Sequence, residues 1–146
     1  MRIIDNLYSL SLALALTLIL VIFNVYAADQ PICNSGTNVV LHDNGLLKSC
    51  QLKDDYDVNN IRCKSGSSIS FYSNGNLESC VLSKDDYDAN NIRCKNGGSV
   101  NFYSNGKLES CVLSAEATVA ESKCKADGLI SFYIDGKLKS CMKQGN

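Results

Sequence analysis

Any chemistry in this chain would have to come from a few kinds of side chain. They are one histidine, eight cysteines, a serine that recurs before a cysteine, and two copies of an aspartate-rich segment. A Ser/His/Asp site and a Cys/His site would both depend on His42, the only histidine. The cysteines show no C-x-x-C spacing, and the sequence has no glycine-rich phosphate loop. We therefore expect a non-catalytic protein that needs no cofactor.

The recurring serine occupies the position before the second cysteine of each repeat described below. Its four copies are Ser49, Ser79, Ser110 and Ser140. Four equivalent serines without a base do not make four nucleophiles. A small polar side chain instead fits a crowded position on the face of a strand, and we predict a structural position for these serines.

Two aspartate-rich segments resemble the beginning of a calcium loop. KDDYDVNN covers residues 53–60 and KDDYDANN covers residues 84–91. Their alternate positions carry oxygen ligands, and the weak calcium candidates are Asp55, Asp57, Asp86 and Asp88. An EF-hand also needs Gly at its sixth position and Glu at its twelfth, where this chain has Asn and Gly. The alternative is a solvated acidic loop that was copied along with its repeat.

The cysteines predict a disulfide framework. They lie at Cys33, Cys50, Cys63, Cys80, Cys94, Cys111, Cys124 and Cys141. Structural zinc sites use close pairs such as C-x2-C, whereas no two cysteines here are nearer than 13 residues. Disulfides form and persist in exported proteins, so this cysteine content indicates an oxidising compartment.

The cysteine spacing divides the chain into four repeats. Successive gaps are 17, 13, 17, 14, 17, 13 and 17 residues, so four C-x16-C units account for every cysteine. The repeats span about residues 33–52, 63–82, 94–113 and 124–143. Residues 54–83 and 85–114 are identical at 24 of 30 positions, which indicates a tandem duplication.

Each repeat carries a turn signal between two apolar runs. The turn pairs are Asn44-Gly45, Asn74-Gly75, Asn105-Gly106 and Asp135-Gly136. Such a pair is a strong hairpin signal, because both residues tolerate a positive φ. A two-residue type I′ loop would set Tyr72 opposite Leu77. A three-residue loop with a bulge would set Phe71 opposite Leu77, and the sequence leaves both registers open.

The predicted fold class is all-β, a tandem array of four β-hairpin repeats of about 30 residues in a meander or solenoid-like sheet. An isolated hairpin is marginal in water, so each hairpin needs neighbours. We expect the stacked units to cover one another's faces. We also expect a short third strand before the second and third hairpins, at the two NIRCK segments that begin at Asn60 and Asn91.

Eight cysteines allow 105 pairings. The within-unit separation is constant while the between-unit separation varies, and a disulfide has a fixed geometry. This favours Cys33–Cys50, Cys63–Cys80, Cys94–Cys111 and Cys124–Cys141. The rival scheme pairs Cys50–Cys63, Cys80–Cys94 and Cys111–Cys124, and it leaves Cys33 and Cys141 unpaired at opposite ends of the array.

The first 27 residues read as a signal peptide. The apolar run Leu10–Phe23 is shorter than a membrane span, and small residues precede a cleavage site after Ala27. The remaining domain, residues 28–146, has 13 Lys plus Arg and 14 Asp plus Glu. We therefore expect a secreted or periplasmic protein, with no membrane insertion after cleavage. The absence of a basic excess argues against a nucleic-acid partner.

The hairpin phrase resembles MORN-type tandem repeats, notably the bacterial MORN-like repeat proteins. The shared pattern is aromatic-x-(Asn/Asp)-Gly-x-Leu, seen here as FYSNG, FYSNG and FYIDG, with LHDNG in the first repeat. The similarity covers roughly residues 36–142. It implies an all-β repeat architecture and a scaffold or binding role rather than catalysis.

Two functions of different classes follow. In the first, the protein is an interaction scaffold that presents Tyr72, Tyr103 and Tyr133 to a protein or a glycan. In the second, it is a structural or protective envelope component without a discrete ligand. A contiguous exposed stripe of these tyrosines would favour the first function. Their burial between repeats would favour the second.

Overall fold

The computed structural model of the chain describes residues 31–83, 87–89 and 92–143. The predicted signal peptide, residues 1–27, lies outside this part of the chain, as does Asp86. The described residues form β-strands joined by turns. None of them belongs to a helix of the length and apolar character that crossing a membrane requires.

The described residues contain fourteen strands. They are β1 (Val40–Leu41), β2 (Leu47–Gln51), β3 (Tyr56–Val58), β4 (Ile61–Cys63), β5 (Ser68–Phe71), β6 (Leu77–Val81), β7 (Tyr87–Ala89), β8 (Ile92–Cys94), β9 (Ser99–Phe102), β10 (Leu108–Val112), β11 (Ala117–Val119), β12 (Ser122–Cys124), β13 (Leu129–Phe132) and β14 (Leu138–Cys141).

Eight of the strands form one antiparallel sheet, which we call the main sheet. Its order is β1-β2-β5-β6-β9-β10-β13-β14. The four predicted hairpins, one per repeat, therefore lie side by side, and each pairs with the next through β2–β5, β6–β9 and β10–β13. The prediction of an all-β array of four hairpins is confirmed.

The hairpin turns use the three-residue loop with a bulge. Phe71 pairs with Leu77, and Ser70 with Ser79, which leaves Glu78 as the extra residue. Gly75 has φ 84°, while Asn74 is not among the residues with positive φ, so the type I′ alternative is wrong for these turns. A type I turn followed by a left-handed Gly needs positive φ at one residue only. The Asn74 side chain supports this turn, since its Oδ1 accepts the Asn76 N–H at 3.0 Å.

The other six strands form three two-stranded ribbons, β3–β4, β7–β8 and β11–β12. The predicted third strands are β4 and β8. Each pairs with a strand from the aspartate-rich segment, so that segment is part of a ribbon rather than an open loop. Positive φ at both central residues of a turn occurs here, at Asn59 (51°) and Asn60 (64°). A two-residue turn of that kind suits the strong twist of an isolated ribbon.

The core lies between the ribbons and one face of the main sheet, which we call the inner face. A single row crosses that face, each member paired with the next. The row runs Cys50, Ile69, Cys80, Val100, Cys111 and Ile130, and each of these is at most 4% exposed. Ile61 of β4 and Ile92 of β8 join the same buried cluster.

This arrangement corrects the expectation that stacked units cover one another's faces. Neighbouring hairpins join edge to edge through strand pairing, and the ribbons supply the covering layer. The reason is that backbone N–H and C=O groups at a hairpin edge need partners, which the next repeat provides.

The four disulfides fasten each ribbon or leading segment to the sheet. They join Cys33–Cys50, Cys63–Cys80, Cys94–Cys111 and Cys124–Cys141, as the within-unit scheme predicts. In the second repeat the bond runs from β4 to β6, and the two Cα atoms lie 5.8 Å apart. No cysteine is free.

Candidate interaction surface

The second face of the main sheet, which we call the outer face, carries an uncharged polar row. Each member is the Cα partner of the next across seven neighbouring strands. The row consists of Ser49, Ser70, Ser79, Asn101, Ser110, Ser131 and Ser140, and we call it the serine row. It contains all four serines that precede a cysteine. The bulge in each hairpin sets this register and thereby brings them onto one face.

Members of the serine row bond to one another within hairpins. The Oγ atoms of Ser70 and Ser79 lie 2.7 Å apart, as do those of Ser131 and Ser140. In the third repeat, Asn101 Nδ2 donates to Ser110 Oγ at 3.0 Å. A hydroxyl pair uses one of its two hydrogens, so each serine pair keeps a donor and free lone pairs for a ligand.

The tyrosines singled out in the sequence connect successive repeats. The hydroxyl of Tyr72 donates to the carbonyl oxygen of Phe102 at 2.8 Å, and the hydroxyl of Tyr103 donates to that of Phe132 at 2.8 Å. His42 occupies the equivalent position in the first repeat, and its Nε2 lies 2.8 Å from the Phe71 carbonyl oxygen. Because a carbonyl can only accept, Nε2 carries the proton. The histidine thus replaces a tyrosine in a structural contact.

Tyr133, in the fourth repeat, has a different environment. It is 51% exposed, and the Lys139 ammonium lies 5.9 Å from its ring centroid. Tyr72 and Tyr103 are only partly exposed. The three tyrosines therefore do not form a uniformly exposed stripe, and two of them act between repeats.

Two carboxylates lie near Tyr72 on the outer face. The pKa of Tyr72 is raised, first by burial and then by the nearby charges of Glu78 and Glu109. The phenol group of Tyr103 makes a smaller electrostatic contribution that also raises the pKa of Tyr72. In the second and third repeats, one side of the serine row thus carries aromatic and acidic side chains, whereas Lys139 takes the place of the glutamate in the fourth repeat.

The turn asparagines form a second set of contacts between repeats. Asn44 Nδ2 donates to the Ser73 carbonyl at 2.8 Å, and Asn74 Nδ2 donates to the Ser104 carbonyl at 3.0 Å. The last repeat has Asp135, which has no such donor. Its Oδ1 still accepts the Lys137 N–H at 3.0 Å, and this hydrogen bond is the main reason that its pKa is lowered. In the third repeat, the described contact of Asn105 is within its own turn, where its Oδ1 accepts the Lys107 N–H at 3.1 Å.

We expect Tyr72→Phe to lower the free energy of unfolding by about 1 kcal/mol, because it removes the hydroxyl bonded to Phe102. The matched control is Tyr133→Phe at the end of the array, which should change stability by less than about 0.5 kcal/mol. Urea unfolding at neutral pH measures both. Equal losses of stability in the two variants would show that the hydrogen bond from Tyr72 to the next repeat does not stabilise the fold.

The calcium candidates are only partly described. Asp55 Oδ1 accepts the Ser65 N–H at 2.8 Å, and its Oδ2 lies 3.6 Å from Arg62 Nε. Asp57 is exposed in β3 and pairs with Arg62 in β4. Asp88 is described by its backbone in β7 alone. Among the described residues, no three His, Cys, Asp or Glu side chains are grouped to hold a metal ion.

We predict that calorimetric titration with calcium gives no micromolar binding. The physical reason is that Asp55 already satisfies a backbone N–H and faces a guanidinium, both of which a cation would have to displace. The contrary result would be a micromolar isotherm that disappears in the double variant Asp55→Ala, Asp86→Ala.

The outer face combines hydroxyl, amide, aromatic, carboxylate and ammonium groups on one side of the main sheet, and such a set suits binding. No protein-family model, curated protein or solved structure matches this chain. The case for a function therefore depends on the geometry of the outer face.

Proposed function

We propose that this protein is an exported, disulfide-stabilised and non-catalytic interaction scaffold that binds a protein or a glycan on the outer face of its main sheet. The observation that carries the proposal is the serine row, a set of seven polar residues in register across seven strands. The resemblance to MORN-type repeats agrees with this role and remains part of the proposal.

Rigidity supports the proposal. Six of the seven strands that carry the serine row lie between two paired neighbours, and β14 lies at the edge of the sheet. The opposite face is held to the ribbons by buried side chains and disulfides. A surface that does not rearrange loses less conformational entropy when it binds a ligand.

The compartment is inferred from the disulfides. Four disulfides suggest an extracellular or otherwise oxidising environment. The finer proposal is secretion or periplasmic export by the predicted signal peptide, residues 1–27. Mass spectrometry of the exported protein should give a chain that begins at Ala28. A mature species that retains Leu10–Phe23 would identify a membrane anchor instead.

A second candidate is a structural or protective envelope component without a discrete ligand. The observation in its favour is that Tyr72 and Tyr103 bond to the following repeat rather than standing free. On this alternative, the outer face has no specific partner.

A co-sedimentation assay separates the two candidates. The purified, disulfide-bonded protein is mixed with envelope or cell-surface material from its native source, and the bound fraction is measured against concentration. A scaffold should show saturable binding that is weakened by Ser79→Arg on the outer face. Its control, Thr118→Arg on the exposed side of β11, should bind normally. If no saturable binding is found, the scaffold function is wrong and the structural or protective role is favoured.

A further inference from the structure

Building on the proposed scaffold function, we infer that the ligand of the outer face is a neutral, extended polysaccharide chain that lies along the serine row, across the strands. The inference depends on the length of the row, its lack of charge, and the side chains that border it.

The length of the row fits a polymer. Seven strands at a spacing of roughly 4.8 Å carry the row over about 29 Å. The row presents a hydroxyl or an amide at every strand, and each of these residues is paired with the next. A ligand that repeats its own hydroxyl groups along an extended chain can meet several of these positions at once, whereas a single sugar can meet only one or two.

Larger side chains border the row on both sides. On one side lie the partly exposed Tyr72 and Tyr103 with Glu78 and Glu109. On the other side, two residues further along the strands, Val81, Val112 and Leu129 share the face with polar residues. The polar residues of that second row are Gln51, Ser68 and Ser99. A row of small polar groups with aromatic and aliphatic side chains beside it suits a sugar chain, whose edges are hydroxyls and whose faces are C–H groups.

Charge selects a neutral chain. The serine row is uncharged. The extra residues of the four hairpin bulges beside it are Lys48, Glu78, Glu109 and Lys139, so their charges balance and give no net attraction to an anionic polymer. Nucleic acid and acidic polysaccharides are disfavoured for the same reason.

An extended peptide is a poorer occupant. Peptides that add to a sheet use the unpaired backbone groups of an edge strand. The inner strands beneath the row are paired on both sides, so the outer face offers side chains only.

Retention on insoluble polysaccharides tests the inference. The purified, disulfide-bonded protein is incubated with cellulose, chitin and a neutral β-1,3-glucan, with calcium alginate gel as the anionic control. The wild-type protein should bind at least one neutral polymer and not alginate. Ser79→Arg combined with Ser110→Arg, at the centre of the row, should weaken that binding at least tenfold. Thr118→Arg, an exposed hydroxyl residue on a ribbon, should leave it unchanged.

A second variant guards against misfolding. The double substitution Ser79→Ala, Ser110→Ala removes two hydroxyls without adding bulk, and it should weaken binding about threefold or more. The inference is overturned if no neutral polymer retains the wild-type protein, or if both double variants bind as wild type does. Saturable binding to native material that is abolished by protease treatment would overturn the polysaccharide ligand. It would leave the scaffold function standing.

Discussion

Replacing Cys94 and Cys111 together by alanine is expected to lower the free energy of unfolding by about 3 kcal/mol or more. The disulfide closes a loop with a sequence separation of 17, and its loss frees the unfolded chain. Both cysteines are fully buried at the centre of the array, so the substitution also removes buried sulfur atoms from the core. Urea unfolding of the purified variant and wild type measures the difference.

The matched control is the double substitution Cys33→Ala, Cys50→Ala at the first repeat. Its loop has the same separation of 17, but its cysteines are 8% and 4% exposed. The loss of stability that comes from the entropy of the unfolded chain is therefore the same for both variants. The variant without Cys94 and Cys111 should lose more stability in total, because these two cysteines are more fully buried. A loss below about 1 kcal/mol at the central pair would show that the sheet is stable without its cross-links.

Leu82→Ala is expected to lower the free energy of unfolding by about 2–5 kcal/mol. Leu82 is 1% exposed and lies at the junction of the second and third repeats. Its backbone N–H donates to the Gly98 carbonyl at 2.9 Å, and its carbonyl accepts the Gly97 N–H at 3.0 Å. Because both backbone polar groups of Leu82 are bonded to the next repeat, the site cannot easily collapse into the cavity that alanine leaves.

The control for this substitution is Leu129→Ala. Leu129 is 52% exposed on the outer face, so its truncation should cost less than about 1 kcal/mol. Thermal and urea unfolding provide the comparison. Similar losses at the two leucines would mean that the junction between the repeats is not tightly packed.

The sequence predicted those features that are local or strictly periodic. The Asn-Gly and Asp-Gly pairs located all four hairpins, and the constant separation of 17 identified the disulfide partners. The turn type was harder, because the same Asn-Gly pair fits both a type I′ turn and a type I turn with a left-handed Gly. In the structure only Gly75 of that pair takes a positive φ.

The serine row could not be predicted from the sequence, because it depends on the register in which the strands pair. A shift of one residue moves every side chain of a strand to the other face, so the serine row depends on the bulge in each hairpin, such as the one at Glu78. The role of Tyr72 was equally hidden, since its partner Phe102 lies 30 residues away and uses a backbone oxygen. Any residue type presents that oxygen, so no sequence pattern marks it.

Three side-chain hydrogen bonds between repeats point the same way along the chain. His42, Tyr72 and Tyr103 each donate to a backbone carbonyl of the following hairpin, with sequence separations of 29, 30 and 29. Because the acceptor is main chain, a donor repeat can be followed by any repeat of the same backbone geometry, whatever its side chains. Genetic slippage that adds or deletes one whole copy would therefore join a donor to an equally suitable acceptor. Copy number in such a gene can vary in steps of one repeat while every junction stays intact, and the length of the outer face varies in proportion.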